Sequence, residues 1–476
     1  TPLLMGGFSA SYFHEELIRE YPVDFVMRGD STEHPMVELM EAVALEKRDY
    51  SAIPNLSWRD GAGKTVVNPL EYRPPDLDHV FTNYEHAIEQ TIRHLDFKGY
   101  QPFQTWKRYP ITAVFTCRGC VHNCRTCGGG AHYFNHTMGC KTPTFKDPKL
   151  VARDMKTAET YLNAPIFIIG DVLQHGEDYA KALFGELKRL GIKNEVVIEF
   201  FDPPPRALLE LVADSVPKFN IEISPESHDE EVRYAFGRPF DNESLERFIA
   251  DAIELGCRRL DLFFMTGLPK QSAENVMATV DYCKMLFERH GESKVLHPFI
   301  SPLAPFVDPG SAVWENPERY GYKLLFTKLR DLRAALDSPS WKYFLNYETE
   351  WMTREEIVYT TYEAGMDLNE LKMEYGLLDK ANAGTVRERN RKAVAMMREI
   401  DAAMAIEDGA ERERELAKIR PRIVDVDEST VCDKEELDWP TGFFKVNYFK
   451  VAPIVIKSFL RRIFNPPHAK RMKSDA

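Results

Sequence analysis

The sequence predicts an α/β protein built on a partial, TIM-like (β/α)6 barrel, preceded by a Rossmann-like segment and followed by a mainly helical region. Three observations carry this reading. Between Ile111 and Pro302, short apolar runs alternate six times with amphipathic helical patterns, as a parallel sheet with crossover helices requires. Four of the 8 cysteines crowd into the stretch from Cys117 to Cys127, directly after the first of those runs. Barrels of this kind do their chemistry at the carboxyl ends of their strands, which is where that stretch falls.

Composition bounds the function. At 476 residues the chain is long enough for two or three domains, and 44% hydrophobic residues with 29 Phe can fill a sizeable core. A net charge of −13 argues against a general nucleic-acid binder. Few, clustered cysteines suit a reducing cytosol, so a cytoplasmic location is expected. There is no signal-peptide pattern and no run of eighteen apolar residues. The chain starts at Thr1 in what reads as mid-domain sequence, and a missing true start is expected.

Residues 1–50 read as the end of a Rossmann-like domain. An apolar strand Pro2–Met5 meets Gly6-Gly7, a helix runs from Tyr12 to Tyr21, and a strand Val23–Met27 follows. The loop Arg28-Gly29-Asp30-Ser31-Thr32-Glu33 then leads into a helix from Pro35 to Leu45. Residues 51–110 read as a linker: a short strand at Ala52–Trp58, a Pro-rich run from Pro69 to Pro75 and a helix from Tyr84 to Leu95. Tyr100, Phe103, Trp106 and Tyr109 are expected to pack it onto the next domain.

Residues 111–317 are the barrel. Its strands are read at Ile111–Cys117, Ile166–Gly170, Glu195–Phe201, Phe219–Ser224, Arg259–Thr266 and Val295–Pro302. Helices are read at Pro148–Leu162, Asp178–Leu190, Arg206–Ser215, Ser244–Leu255 and Ala273–Arg289. Residues 318–440 read as a helical cap with a charged helix at Thr385–Ile406. Residues 441–476 carry eight Lys or Arg and one acidic residue, Asp475. The segment Val451–Phe464 is a basic amphipathic helix candidate, able to pack on the barrel or to touch an anionic membrane surface.

The cysteine loop admits more than one reading. Cys117-x2-Cys120 and Cys124-x2-Cys127 are each good zinc hooks, but three intervening residues leave little room for two knuckles round one ion. Disulfides between cysteines two apart bridge poorly. A ferredoxin-like carrier would need a fourth ligand, which Cys117 or Cys140 could supply. Cys120-x3-Cys124-x2-Cys127 also resembles the loop by which radical SAM enzymes hold three irons of a [4Fe–4S] cluster.

That resemblance implies roles for the later strand ends. Gly170-Asp171 is similar to the family's Gly-Gly-Glu motif for the amino group of S-adenosylmethionine. Glu199, and Glu222 with Ser224, lie where a ribose or carboxylate would be met. Arg238 is a partner for the methionine carboxylate, since its fork can bind both oxygens. Gly267, in Met265-Thr266-Gly267-Leu268-Pro269, resembles the turn near adenine. The aromatic residue usual before the third cysteine is replaced by Thr126, leaving adenine packing to His122 or Phe115. Cys117 reads as a spare thiol, and Cys257, Cys283 and Cys432 as packing residues.

Further motifs resemble cobalamin-dependent radical SAM proteins. Gly6-Gly7-Phe8-Ser9-Ala10-Ser11 and the loop from Arg28 to Glu33 are similar to the second half of the family's cobalamin-binding domain, where Gly6, Gly7, Gly29 and Glu33 would surround the nucleotide tail. The Asp-x-His-x-x-Gly motif whose His ligates cobalt occurs nowhere in these residues. The segment Ser301–Ser311 resembles one wall of the family's substrate space. The family implies a [4Fe–4S] cluster, S-adenosylmethionine and cobalamin as cofactors. It also implies a one-electron donor such as flavodoxin or ferredoxin, and methyl transfer to a small or lipid-like substrate. Cyclisation or rearrangement, a non-catalytic electron carrier and a zinc-stabilised module remain as alternatives.

Overall fold

The computed structural model describes residues 2–97, 110–302, 306–423, 434–437 and 445–464. A four-stranded sheet opens the chain. Strands β1 (Leu4–Gly6) and β2 (Phe25–Met27) run parallel, joined by two short helices, α1 (Phe8–Tyr12) and α2 (His14–Glu20), where one helix was expected. After α3 (Glu33–Ala44), β3 (Leu56–Arg59) and β4 (Thr65–Val67) extend the sheet antiparallel from β2. The expected linker therefore supplies half of this sheet, and Trp58 and Leu56 pack with Phe25, Met27 and Leu39 in its core. Helix α4 (Tyr84–His94) follows, capped by the Asn83 side chain accepting the His86 N–H. Tyr100, Phe103, Trp106, Tyr109 and Cys432 lie outside the described residues.

Strand β5 (Thr112–Phe115) leads into the cysteine loop. The pair β6 (Cys117–Arg118) and β7 (Thr144–Phe145) ties that loop off, and it carries the short helix α5 (Ala131–His136). The series continues through α6 (Pro148–Tyr161), β8 (Ile166–Ile169), α7 (Glu177–Leu190), β9 (Val196–Phe200) and α8 (Arg206–Ser215). It ends with β10 (Phe219–Glu226), α9 (Glu230–Phe236), α10 (Asn242–Glu254), β11 (Leu260–Thr266), α11 (Ala273–His290) and β12 (Leu296–Pro302). The six strands β5, β8, β9, β10, β11 and β12 neighbour one another in chain order and are all parallel. This is the expected open barrel segment, with every carboxyl end on one rim.

Period-two alternation sorts the strand residues. Ile166, Ile168, Val196, Ile198, Ile221, Ile223, Leu260 and Leu262 join the main core beneath the helices. The opposite, concave face is more polar. Glu199 pairs in register with Glu222, Glu222 with Asp261, and Asp261 with His297, so four titratable residues form one row across it.

The last third is helical, as expected, with one small hairpin set into it. After α12 (Ala312–Glu315), β13 (Tyr322–Leu324) pairs antiparallel with β14 (Tyr347–Thr349) across α13 (Leu329–Leu336). Helix α14 (Arg354–Glu374) starts in a capping box of Thr353 and Glu356 and lies along the open edge of the barrel. Its Thr361 Oγ1 is 2.6 Å from Thr266 Oγ1, and Lys372 Nζ stands 4.2 Å from the centre of the Phe299 ring. Lys372 also reaches Glu436 at 2.8 Å. Helices α15 (Lys380–Met404) and α16 (Gly409–Ile423) stack behind α14. Finally α17 (Tyr448–Phe464) packs on α4, burying Ile454 and Ser458 and pairing Arg461 with Glu89 at 2.7 Å. Its outer face exposes Phe449, Ile456, Ile463 and Phe464. Among the described residues no helix is long and apolar enough to cross a membrane.

Candidate active site

The cysteine loop is shaped by its own backbone. Cys127 N–H donates to Cys124 O at 3.2 Å, Gly130 N–H to Cys127 O at 3.4 Å, and Ala131 N–H to His122 O at 2.8 Å. These turns direct two amides at sulfur: His122 N–H lies 3.4 Å from Cys120 Sγ, and Gly129 N–H lies 3.3 Å from Cys127 Sγ. Burial pushes the thiols of Cys120 and Cys127 up to about 12. Thiols so far from water ionise only when a cation replaces the lost solvation. Among the described residues, no three His, Cys, Asp or Glu side chains converge as they would round a single ion. A cubane cluster, which gives each thiolate its own iron, gathers its sulfurs at wider spacing, and Cys124 and Cys127 both bear electrostatically on Cys120.

Cys117 stands apart. Its neighbours are Thr116 Oγ1 at 3.8 Å and Gln174 Nε2 at 3.7 Å. Burial lifts its thiol to about 11, and the charges that bear on it are Asp171, Glu199 and Asp30 rather than the other three sulfurs.

The strand ends gather round this loop. Gly170, at φ +90°, leaves no room for a side chain, because a Cβ would come within 2.9 Å of Thr116 Oγ1. Its N–H donates to Glu199 Oε2 at 3.3 Å. Asp171 is turned into the fold: one oxygen accepts Leu173 N–H at 2.7 Å and the other Phe201 N–H at 2.9 Å. Glu222 and Ser224 sit half-buried on the concave face of β10. Past them the register of β10 shifts, and Glu226 adopts φ +68°.

That shift carries Glu226 beneath Arg238, the guanidinium lying 3.4 Å from Glu226 Oε1. Arg238 also donates to Phe201 O at 3.1 Å and stands over the Phe201 ring at 5.1 Å. The turn from α9 presses Arg238 against the cysteine loop. Gly237 has φ +111°, a Cβ there would lie 2.8 Å from Asn123 O, and Arg125 N–H donates to Phe236 O at 2.9 Å. Burial pushes the Glu226 carboxyl up to about 7. Glu226 Oε2 and Asp202 Oδ1 are both buried without a hydrogen-bond partner.

Gly267 is enclosed differently. Its carbonyl accepts the Tyr322 hydroxyl at 2.7 Å, and a Cβ would fall 2.7 Å from Tyr347 Oη, so the β13–β14 hairpin fills that side of the turn. Of the two aromatic candidates, His122 packs edge-on against Phe201 at 5.3 Å and lies 3.8 Å from Asp202. Phe115 is 47% exposed at the end of β5.

The N-terminal sheet meets the same loop. Phe8, following Gly6-Gly7, packs its ring 5.4 Å from that of Tyr133, whose hydroxyl donates to Phe8 O at 2.6 Å. Gly29 N–H donates to Ser11 Oγ at 3.2 Å. Arg118, inside the cysteine loop, pairs with Asp30 at 3.2 Å and Glu33 at 3.7 Å. The structure thus ties the N-terminal sheet to the cysteine loop through Phe8, Asp30 and Glu33, across 85 positions or more of sequence. Glu226, Asp202 and Gln174 are not among the site residues named from the sequence. Glu226 lies two residues past Ser224, and only the register shift, which alternation cannot reveal, brings it to the loop.

Residues 114–283 match the family model described as the Radical SAM superfamily. No curated protein matches the chain. Among solved structures, the chain is similar to the radical S-adenosylmethionine methyltransferase TsrM from Kitasatospora setae with cobalamin and a [4Fe–4S] cluster bound. Identity is 15%, 89% of this chain and 82% of that chain are covered, and the TM-score is 0.52. The same enzyme with its tryptophan substrate and an S-adenosylmethionine analogue gives 15% identity, coverage of 80% and 72%, and a TM-score of 0.52. The apo form of the cobalamin-dependent S-adenosylmethionine radical enzyme OxsB gives 12% identity, coverage of 97% and 67%, and a TM-score of 0.50. The chain shares the fold of these enzymes. Its residues 114–283 are a radical SAM domain, an enzyme domain that uses S-adenosylmethionine and a [4Fe–4S] cluster.

Proposed function

With a radical SAM domain at its centre, we propose that this chain cleaves S-adenosylmethionine reductively and uses cobalamin to methylate an unactivated position of a small molecule. When bound, the cluster supplies the electron for that cleavage, which yields methionine and a 5′-deoxyadenosyl radical. Cys120, Cys124 and Cys127 would hold it. Two of these sulfurs already receive backbone N–H groups, the support that cluster sulfurs need.

The observation that carries the reading is the pair of orphaned acceptors beside that loop. Glu226 Oε2 and Asp202 Oδ1 are buried and unbonded next to Arg238. A buried acceptor without a donor is costly, and the ammonium of S-adenosylmethionine would relieve that cost. Arg238 would meet the methionine carboxylate with its fork. Glu199, Glu222 and Ser224 line the concave face toward the ribose, with Gly170 allowing close approach. Phe115 offers the exposed ring for adenine. Asp171 would act through the turn it caps, and Gly267 through the wall it forms with Tyr347.

Cobalamin is supported by the placement of the N-terminal sheet. Phe8, which follows the Gly6-Gly7 turn, and Asp30 and Glu33, which follow Gly29, touch the cysteine-loop region, so a cofactor held by these turns would lie near the loop. The fold shared with TsrM, whose solved structure contains cobalamin and the cluster, supports the same arrangement. An external electron donor and a cytoplasmic location suit an oxygen-sensitive cluster and the unpaired cysteines of the described residues. The reading is tested by cobalamin uptake and by release of 5′-deoxyadenosine and S-adenosylhomocysteine from anaerobic, reconstituted protein. Cluster-loaded protein that binds no cobalamin would restrict it to the radical SAM step.

A further inference from the structure

The segment after β12 does more than border the barrel. Asp308 Oδ2 accepts Gly128 N–H at 2.7 Å, and Asp308 N–H donates to Thr126 O at 3.3 Å. One residue therefore grips both chain neighbours of Cys127. The grip is braced on either side: Val307 N–H donates to Asn346 Oδ1 at 2.9 Å, and Val313 N–H to Arg125 O at 2.9 Å. Gly128 is matched to it, since a Cβ there would come within 2.7 Å of Asp308 Cβ.

Resting on the assignment of Cys127 as a cluster ligand, we infer that Asp308 is a positioning residue that fixes the third thiolate and lowers the reduction potential of the cluster. Two effects act in the same direction. An N–H aimed at a cluster sulfur stabilises the more negative, reduced form, and hydrogen bonds to sulfur are among the terms that set these potentials. The Asp308 carboxylate draws the Gly128 N–H to itself, so that Gly129 N–H is the amide left at Cys127 Sγ. The Asp308 carboxylate, whose charge bears on Cys127, also opposes the added electron directly. A lower potential is what reductive cleavage of a sulfonium demands.

Asp308→Asn keeps the accepting oxygen and the shape but removes the charge, whereas Asp308→Ala removes both. The readouts are iron content, resistance to a chelator, and the midpoint potential of the reconstituted cluster without S-adenosylmethionine. Asp308→Asn should retain wild-type iron and be easier to reduce by about tenfold in the equilibrium, ~59 mV for one electron. Asp308→Ala should also lose iron to the chelator several-fold faster. Wild-type potentials and chelator resistance in both variants would overturn the inference while leaving the cluster assignment intact. A wild-type protein that takes up no iron would overturn both.

Discussion

At the scale of residues, the site depends on which groups the backbone turns toward the cysteine loop. Cys117→Ala should leave the iron content unchanged, since that thiol faces Thr116 and Gln174. Ala at Cys120, Cys124 or Cys127 should abolish it, as read by iron and sulfide analysis of reconstituted protein. Gly237→Ala forces a side chain into a positive-φ turn against Asn123 O. It should cost about 1–3 kcal/mol in chemical denaturation and loosen the loop. Spacing and strand-end position pick out Cys120, Cys124, Cys127 and Arg238 in the sequence, and the structure brings these four side chains together. The contacts of Glu226 and Asp308 were not legible in the sequence. One depends on a local shift in register, and the other on a contact between residues 180 positions apart.

At the scale of elements, regular alternation between 111 and 302 was enough to place all six barrel strands, because each apolar run is bounded by a helix of normal length. Three features escaped. Helix α9 spans 7 residues, too few to show a period. Strand β4 lies in a Pro- and Gly-punctuated stretch that reads as linker, yet it gains stability by pairing with β3, the short strand that was expected there and that itself pairs with β2. The β13–β14 hairpin joins strands of 3 residues across an intervening helix. The concave row makes a prediction of its own. Burial, helped by Arg259 and Lys372, lowers the His297 pKa from 6.5 to about 3. A depressed imidazole stabilises the fold above the unfolded value, and that contribution is lost as pH falls below 6.5 toward 3. His297→Gln should therefore lose less stability than the wild type between pH 7 and pH 5, measured as the shift in urea midpoint.

At the scale of the whole molecule, the N-terminal sheet, the barrel and the segment after β12 all close on one loop of eleven residues, Cys117 to Cys127. Arg118 binds the sheet through Asp30 and Glu33, Arg125 reaches α9 and α12, and Gly128 is held by Asp308. This convergence explains how the first four-stranded sheet is held against the barrel. It also predicts that cobalamin binding, read by its visible spectrum, should weaken several-fold in Arg118→Ala while iron content is retained. The central claim is that the loop holds a cluster that cleaves S-adenosylmethionine. Its most direct test is the yield of 5′-deoxyadenosine from anaerobically reconstituted protein under strong reductant, with Cys124→Ala as control. The account predicts 5′-deoxyadenosine from the wild type and none from the variant. A wild type that binds iron but releases no 5′-deoxyadenosine, or one that binds zinc in place of iron, would contradict it.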